Sequence, residues 1–129
     1  MAFDWHDYLE FARFLQTQTG APYEEAALRT AVSRSYYAAF GHAHEYACDY
    51  LGFTPRRKPE EKSQDHGRLR SHLAKKRYAV SVKQGQLRDW RNDCDYVQDL
   101  TARDLPQLVT ASIAAADYIY RSLQKPQTP

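Results

Sequence analysis

Apolar side chains recur every three or four residues along most of the chain, which is the spacing of one buried face of an α-helix. Val, Ile and Thr never alternate with polar residues over the length of a strand. We therefore predict an all-α protein, an antiparallel up-and-down bundle of four main helices and one short helix. The predicted helices cover about residues 4–19, 22–51, 65–77, 82–100 and, from 101 or 104, to 123.

Residues that favour helix starts and stops mark the ends of these segments. Asp4 is placed to cap the first helix, and Gly20 follows its end. Pro22 suits the first turn of the second helix, which Gly52 terminates. Pro106 is tolerated only near the start of the last helix. The helix boundaries are therefore predicted by local chemistry as well as by periodicity.

Length and composition indicate a single domain over residues 1–129 with one hydrophobic core. No apolar run approaches the roughly 18 residues needed to cross a bilayer. The first residues are acidic where a signal peptide has a basic region, so we expect a cytoplasmic protein with no membrane partner. Cys48 and Cys94 lie in separate predicted helices, and we expect half-buried, reduced thiols.

One predicted helix carries a wall of polar side chains beside its apolar stripe. Residues 87–97 read LRDWRNDCDYV. At about 100° per residue, the apolar side chains share one face, and four polar side chains follow around the helix: Arg91, Asn92, Asp95 and Tyr96. These groups suit a planar polar ligand. The alternative is an Arg91–Asp95 ion pair at i,i+4, with Asn92 and Tyr96 at a bundle or dimer contact.

The formal net charge of +2 is distributed unevenly along the chain. Residues 56–91 hold twelve Lys or Arg against four acidic residues, whereas both flanking segments are net negative. Such a segment attracts polyanions over about a Debye length, roughly 8–10 Å. The candidate phosphate contacts lie in the predicted loop 53–64 and at the end of the third helix: Arg56, Arg57, Lys58, Lys75, Lys76 and Arg77. The alternative is a solvated helix surface and a basic loop without a ligand.

Ten tyrosines are unusual for a bundle, whose core is commonly built from Leu and Ile. Several suggest stacked rings whose hydroxyls reach a polar groove or a partner chain: Tyr8, Tyr36, Tyr46, Tyr50 and Tyr118. We therefore expect a homodimer. The alternative is that these rings lie at the rim of the bundle.

The histidines do not have the spacing of a metal site. His42 and His44 point to different faces of the second helix, and His66 and His72 lie six residues apart in the third. His42 is at the edge of the core, where a hydrogen-bonded interior histidine is expected. The sequence also lacks a phosphate-binding glycine loop, a nucleophile elbow and a carboxylate pair for glycoside chemistry. We therefore expect no metal site and no cofactor.

Three stretches together resemble the HEPN family (higher eukaryotes and prokaryotes nucleotide-binding domain). They are RTAVSRSYYAAF over residues 29–40, GHAHEYA directly after it, and LRDWRNDCDY over residues 87–96. The likeness spans almost the whole chain and is to the small stand-alone bacterial members. It implies a helical bundle that dimerises. Family members include metal-independent ribonucleases, toxins of toxin–antitoxin pairs and partners of minimal nucleotidyltransferases.

The family signature is an arginine followed a few residues later by a histidine, in a cleft at the dimer interface. Arg91 matches this arginine, and Asn92 matches the polar residue that often follows it. The fifth position after Arg91 holds Tyr96 instead of histidine. A phenol is a far poorer base at neutral pH than an imidazole. If Arg91 and Tyr96 are the catalytic residues, we therefore expect weak cleavage of RNA or none.

Three functions are consistent with this sequence. The first is a noncatalytic or weakly catalytic HEPN-like dimer that binds RNA or a nucleotide in a groove lined by Arg91, Asn92, Asp95, Tyr96 and His66. The second is a metal-independent endoribonuclease toxin in which the missing histidine is replaced by His42, His44 or His66. The third is a protein-interaction module that docks onto a nucleotidyltransferase or antitoxin partner.

Overall fold

A computed structural model of the chain describes residues 3–18, 20 and 22–126. Within these residues it contains helices and no strand, which confirms the predicted all-α bundle. The helices are α1 (His6–Gln16), α2 (Glu24–Tyr50), α3 (Asp65–Lys76), α4 (Tyr78–Tyr96) and α5 (Leu105–Ser122), with a short 3-10 helix over Pro59–Gln64. No helix of the described ranges is both long and apolar enough to span a membrane.

The longest helix, α2, lies at the centre, and α1, α4 and α5 all pack against it. Most of its buried positions are small: Ala31, Ser33, Ser35, Ala38, Ala39, Gly41, Ala43 and Ala47. Small side chains let neighbouring helices approach closely. The neighbours supply larger apolar groups that are almost wholly buried: Leu9, Leu87, Val109 and Ile119. The core is therefore built around a helix with a narrow buried face.

Aspartates lie at two helix starts. Asp104 is the N-cap of α5 as predicted, whereas Trp5 and not Asp4 is the N-cap of α1. The Asp4 carboxylate accepts a hydrogen bond from the His6 N–H at 3.0 Å. Asp104 accepts one from the Gln107 N–H at 3.1 Å, and Pro106 lies in the first turn of α5. The predicted end of α1 at Thr19 lies outside the described residues, and the helix ends at Gln16.

The start of α2 differs from the prediction, which places Pro22 in its first turn. The helix begins at Glu24 instead. Tyr23 has a φ of 69°, a left-handed conformation that cannot belong to a right-handed helix. The predicted stop is confirmed, because α2 ends at Tyr50 and Gly52 follows with a φ of 70°.

The predicted boundaries of α4, residues 82 and 100, are each four residues too late. The helix starts at Tyr78, and Arg77 alone separates it from the end of α3. Gly85 therefore lies in the interior of α4. Arg29 of α2 binds the chain where the helix ends. The Arg29 guanidinium donates hydrogen bonds to the carbonyls of Cys94, Val97 and Gln98 at 3.1, 2.6 and 2.9 Å. These bonds satisfy the Cys94 carbonyl in the last turn of the helix and two carbonyls just beyond it.

Both cysteines are free, as predicted. Cys94 is buried rather than half-buried, because it faces α2 from the apolar stripe of α4. Burial raises the pKa of its thiol to about 11, so the thiol stays protonated at neutral pH. Cys48 is partly exposed, and burial likewise raises the pKa of its thiol. Neither cysteine has the low-pKa environment of a nucleophile.

Gly41 provides the first testable prediction. A Cβ added at this position would overlap the ring carbons of Trp5, whose indole lies directly on the α2 backbone. We expect Gly41→Ala to destabilise the fold by about 1–3 kcal/mol through overpacking. Urea unfolding followed by circular dichroism measures this change.

The matched control is Gly85→Ala, also in a helix. An added Cβ there makes ordinary contact with Arg70 and no overlap. We expect a gain of up to about 1 kcal/mol, since alanine favours the helix more than glycine. Equal effects of the two substitutions would contradict the role of Gly41 in seating Trp5.

Candidate functional site

Arg91 is the centre of a cluster of aromatic and polar side chains between α2 and α4. Only 8% of its surface is exposed. Its guanidinium carbon lies 5.1 Å from the ring centre of Tyr36, 5.5 Å from that of Tyr37 and 5.9 Å from that of Tyr96. Such distances allow cation–π attraction. The sequence predicts Arg91 beside the core, and the structure shows it buried against aromatic rings.

Asp95 lies one turn after Arg91 on the same face of α4. Its Oδ2 is 3.7 Å from Nη1 of Arg91, an ion pair too long for a hydrogen bond. Ser33 of α2 donates to the same oxygen at 3.2 Å, and Arg34 donates to the Ser33 hydroxyl at 3.3 Å. The Arg91–Asp95 pair therefore exists. It is part of a network that continues through Asp95 to Ser33 and Arg34 of α2.

The Arg91 guanidinium keeps hydrogen-bonding capacity. Its Nε is enclosed and has no hydrogen-bond partner among the described residues. A guanidinium carries five N–H donors, and a buried donor without an acceptor is energetically unfavourable. The two Nη groups are less enclosed than Nε, and they are the donors that an anionic or carbonyl oxygen beside Arg91 can reach.

His66, in the first turn of α3, joins the cluster through Tyr36. Its Nδ1 is 2.5 Å from the Tyr36 hydroxyl, and the two share a hydrogen bond. The ring stacks on Phe40 with the ring centres 4.0 Å apart and the planes inclined by 9°. Two helices therefore hold the imidazole in one orientation.

The same environment shifts the ionisation of Tyr36 and His66. Burial raises the pKa of Tyr36 to about 12, against the opposing effect of the positive Arg88 and Arg91. Burial, followed by the charges of Arg88 and Arg91, lowers the pKa of His66 to about 4. Both groups are therefore neutral at pH 7. An imidazole with so low a pKa is also a weak base at that pH.

Tyr96 differs from the other tyrosines of the cluster, because 76% of its surface is exposed. It is the last residue of α4, so its ring forms the outer edge of the site. Asn92 is half-buried next to Arg91 along the helix. We call the set of Ser33, Tyr36, Tyr37, His66, Arg91, Asp95 and Tyr96 the Arg91 cluster.

The six candidate phosphate contacts fall into two groups. Arg56, Arg57 and Lys58 lie in the loop before α3, and the Arg56 N–H binds the Asp65 carboxylate at 3.1 Å, next to His66 in the chain. Lys75, Lys76 and Arg77 are exposed at the other end of α3. At 1.5 Å per residue they are about 15 Å along the helix from His66. The six cations are therefore not gathered at one place.

The other histidines lie outside the cluster. His42 is half-buried and hydrogen-bonded through Nε2 to the Leu123 carbonyl at 2.5 Å, which confirms the predicted hydrogen-bonded histidine at the edge of the core. His44 lies between Cys48 and Asp65, with 3.8 Å from its Nδ1 to the sulfur and 3.7 Å from its Nε2 to the carboxylate. Of the three histidines proposed to replace the missing one, His66 alone is bonded to a member of the cluster among the described residues.

The sequence does not identify Ser33 or Tyr37 as members of the Arg91 cluster. It also does not identify Arg88 as a positive charge that acts on Tyr36 and His66. Tyr36 is one of the tyrosines predicted to stack and to direct their hydroxyls to a polar groove or a partner chain, and its hydroxyl reaches His66 instead. A signal for Tyr37 and Ser33 was present, because SRSYY places several polar or aromatic groups within two turns of a helix otherwise rich in alanine. Their contact with α4 depends on the rotation of α2, which periodicity defines only coarsely.

No protein-family model matches the chain, and no curated protein or solved structure matches it significantly. The described fold defines the protein as an all-α helical bundle.

The shifted pKa of His66 predicts a pH dependence of stability. His66 has a pKa of about 6.5 in the unfolded chain and about 4 in the folded protein. Between these values the unfolded state binds more protons, so the free energy of unfolding falls as the pH decreases. We expect the wild type to lose more stability between pH 7 and pH 5 than His66→Asn, which keeps a hydrogen-bonding group near Tyr36. Urea titrations at the two pH values measure the difference. Equal losses would mean that His66 is not buried in its neutral form.

Proposed function

We propose that the chain is a HEPN-like protein that binds RNA or a nucleotide at the Arg91 cluster. The observation that carries this proposal is the position of the Arg91 guanidinium, which lies against three tyrosine rings and keeps 10% of its side chain exposed. Guanidinium groups bind phosphate through paired hydrogen bonds. Aromatic side chains stack on unpaired bases. Tyr96 is the exposed ring of the cluster and can supply this stacking, whereas Tyr36 is fully buried.

The proposed site is completed by a second copy of the chain. Tyr96 is exposed at the outer edge of the cluster, and the neighbouring Val97 is also exposed. An exposed tyrosine beside an apolar residue is typical of interface cores. A homodimer joined along the end of α4 would convert the open face at Arg91 into a groove between two copies.

This dimer gives a direct prediction. We expect light scattering at tens of micromolar to report about twice the 15.0 kDa mass of the chain. Tyr96→Glu should reduce the dimer fraction, because it introduces a charge into the proposed contact. The matched control is Tyr78→Glu, which changes an equally exposed tyrosine at the opposite end of α4 and should leave the mass unchanged. A monomeric wild type would exclude the dimer.

The function of Arg91 is tested by Arg91→Lys, which keeps the positive charge and much of the buried volume but loses the planar set of donors. We expect its affinity for a short single-stranded RNA to fall by about tenfold or more, since charge-assisted bonds contribute about 1.5–3 kcal/mol. Fluorescence anisotropy at low salt measures binding, and thermal melting reports the fold.

Arg121→Lys is the control for this experiment, because Arg121 is exposed on α5. It should retain both affinity and melting temperature. If the Arg91→Lys variant binds RNA with the same affinity as the control variant, Arg91 has no ligand-binding role. A large loss of melting temperature without loss of affinity would make the residue structural.

The basic residues around α3 are proposed to contact the phosphate backbone. Three or four such contacts give a log–log slope of affinity against salt of about −2 to −3, at about −0.7 per phosphate.

Replacing Arg56, Arg57 and Lys58 by glutamine should make this slope less steep. The same change at Lys75, Lys76 and Arg77 should do so too. The two triple variants remove equal charge. We expect the loop variant to have the larger effect, because the loop is anchored next to His66. A wild-type slope near zero would leave this segment as a solubility surface.

A second candidate function is a metal-independent ribonuclease with His66 as the proton-transfer group. The observation in its favour concerns Tyr36. Its hydroxyl is hydrogen-bonded to His66, and its ring lies against Arg91. The lowered pKa of His66 favours binding over cleavage at pH 7. Cleavage of RNA in the presence of a chelator, abolished by His66→Asn, would establish the ribonuclease.

The proposed biological context is a toxin–antitoxin or nucleotidyltransferase-associated system. If the Arg91 cluster binds a partner protein instead of RNA, Arg91→Lys will weaken capture of that partner while no RNA binding is detected at low salt. The salt and anisotropy measurements therefore separate the interaction module from the RNA-binding protein.

A further inference from the structure

A second concave site lies on another part of the molecule and shares no residue with the Arg91 cluster. It is a cavity of about 480 Å³ between the segment before α1, the second half of α2 and the end of α5. This volume is within the range of small-molecule sites, roughly 300–1,000 Å³. Its walls are rich in aromatic side chains: Phe3, Trp5, Tyr46, Tyr50 and Tyr120.

Contacts among the lining residues hold these walls in place. Phe3 and Trp5 meet edge to face with ring centres 5.1 Å apart, and Tyr46 and Tyr50 lie 4.9 Å apart on successive turns of α2. Tyr120 rests on the His42 ring at 4.8 Å. The aromatic walls therefore contact one another in pairs, although Phe3 and Tyr50 are also partly open to solvent.

The same cavity carries an excess of carboxylates. Glu45 and Asp49 line it one turn apart on α2, and Asp4 lines it from the segment before α1. Lys125 contributes one positive charge. Glu45 and Asp49 make no ion pair with other described residues, whereas most acidic residues of α1 and α3 are paired. The cavity thus has aromatic walls and a net negative charge.

We infer that this cavity binds a small organic cation, and an alkylated ammonium fits it best. The faces of aromatic rings attract cations, most strongly when water is excluded. Methyl groups on the nitrogen add apolar contact with the rings and lower the cost of removing the ion from water. Carboxylates beside the rings select positive charge over a neutral molecule of the same shape. This inference is independent of the function proposed for the Arg91 cluster.

The test compares choline with 3,3-dimethylbutan-1-ol, which has the same shape but carbon in place of the charged nitrogen. The two tryptophans of the chain, Trp5 and Trp90, give separate indole N–H signals in a nitrogen-15 NMR spectrum. Trp5 lines the cavity, while Trp90 lies on α4 and serves as the internal control. The Trp90→Phe variant assigns the two signals.

We expect choline to shift the Trp5 signal with saturation and to leave the Trp90 signal in place. The neutral alcohol should bind at least about tenfold more weakly. Glu45→Gln combined with Asp49→Asn should weaken choline binding by a similar factor. Glu60→Gln combined with Asp89→Asn removes equal charge outside the cavity and should have no effect. Equal binding of choline and the alcohol, or no saturable Trp5 shift with choline, would overturn the inference.

Discussion

The close approach of three helices to α2 is the constraint on which the rest of the structure depends. Small side chains line most of the buried face of α2, so α1, α4 and α5 can all contact it. Tyr36 is the large exception on this face and the largest fully buried side chain in the described chain. A buried phenol requires a hydrogen-bond partner, and His66 supplies it. Tyr36 thus joins the core to His66 of α3 through its hydroxyl and to Arg91 of α4 through its ring.

The sequence predicts those parts of the structure that depend on local spacing. The helices of the bundle, the Asp104 cap and the Arg91–Asp95 pair that was the alternative interpretation all follow from contacts within a few residues. Tyr96 likewise follows Arg91 on the same helix. The RNA ligand and the HEPN relationship remain predictions, because they depend on molecules other than this chain.

Features that depend on distant residues were less accessible to sequence reasoning. Arg29 binds carbonyls that lie 65 or more residues later in the chain, and no local pattern indicates this. The end of α4 was accordingly placed too late. His66 was a candidate ligand residue, but its stacking on Phe40 and its bond to Tyr36 join helices separated by a loop. The burial of Arg91 arises from the same long-range packing.

The three carbonyl bonds of Arg29 also affect the segment between α4 and α5. Val97 and Gln98 are held at one end, Leu100 is buried in the middle, and Asp104 caps the following helix. This connection is therefore a fixed spacer and not a hinge. A molecule that binds beside Tyr96 meets a surface already in its final shape, so association there need not order a loop at the expense of affinity.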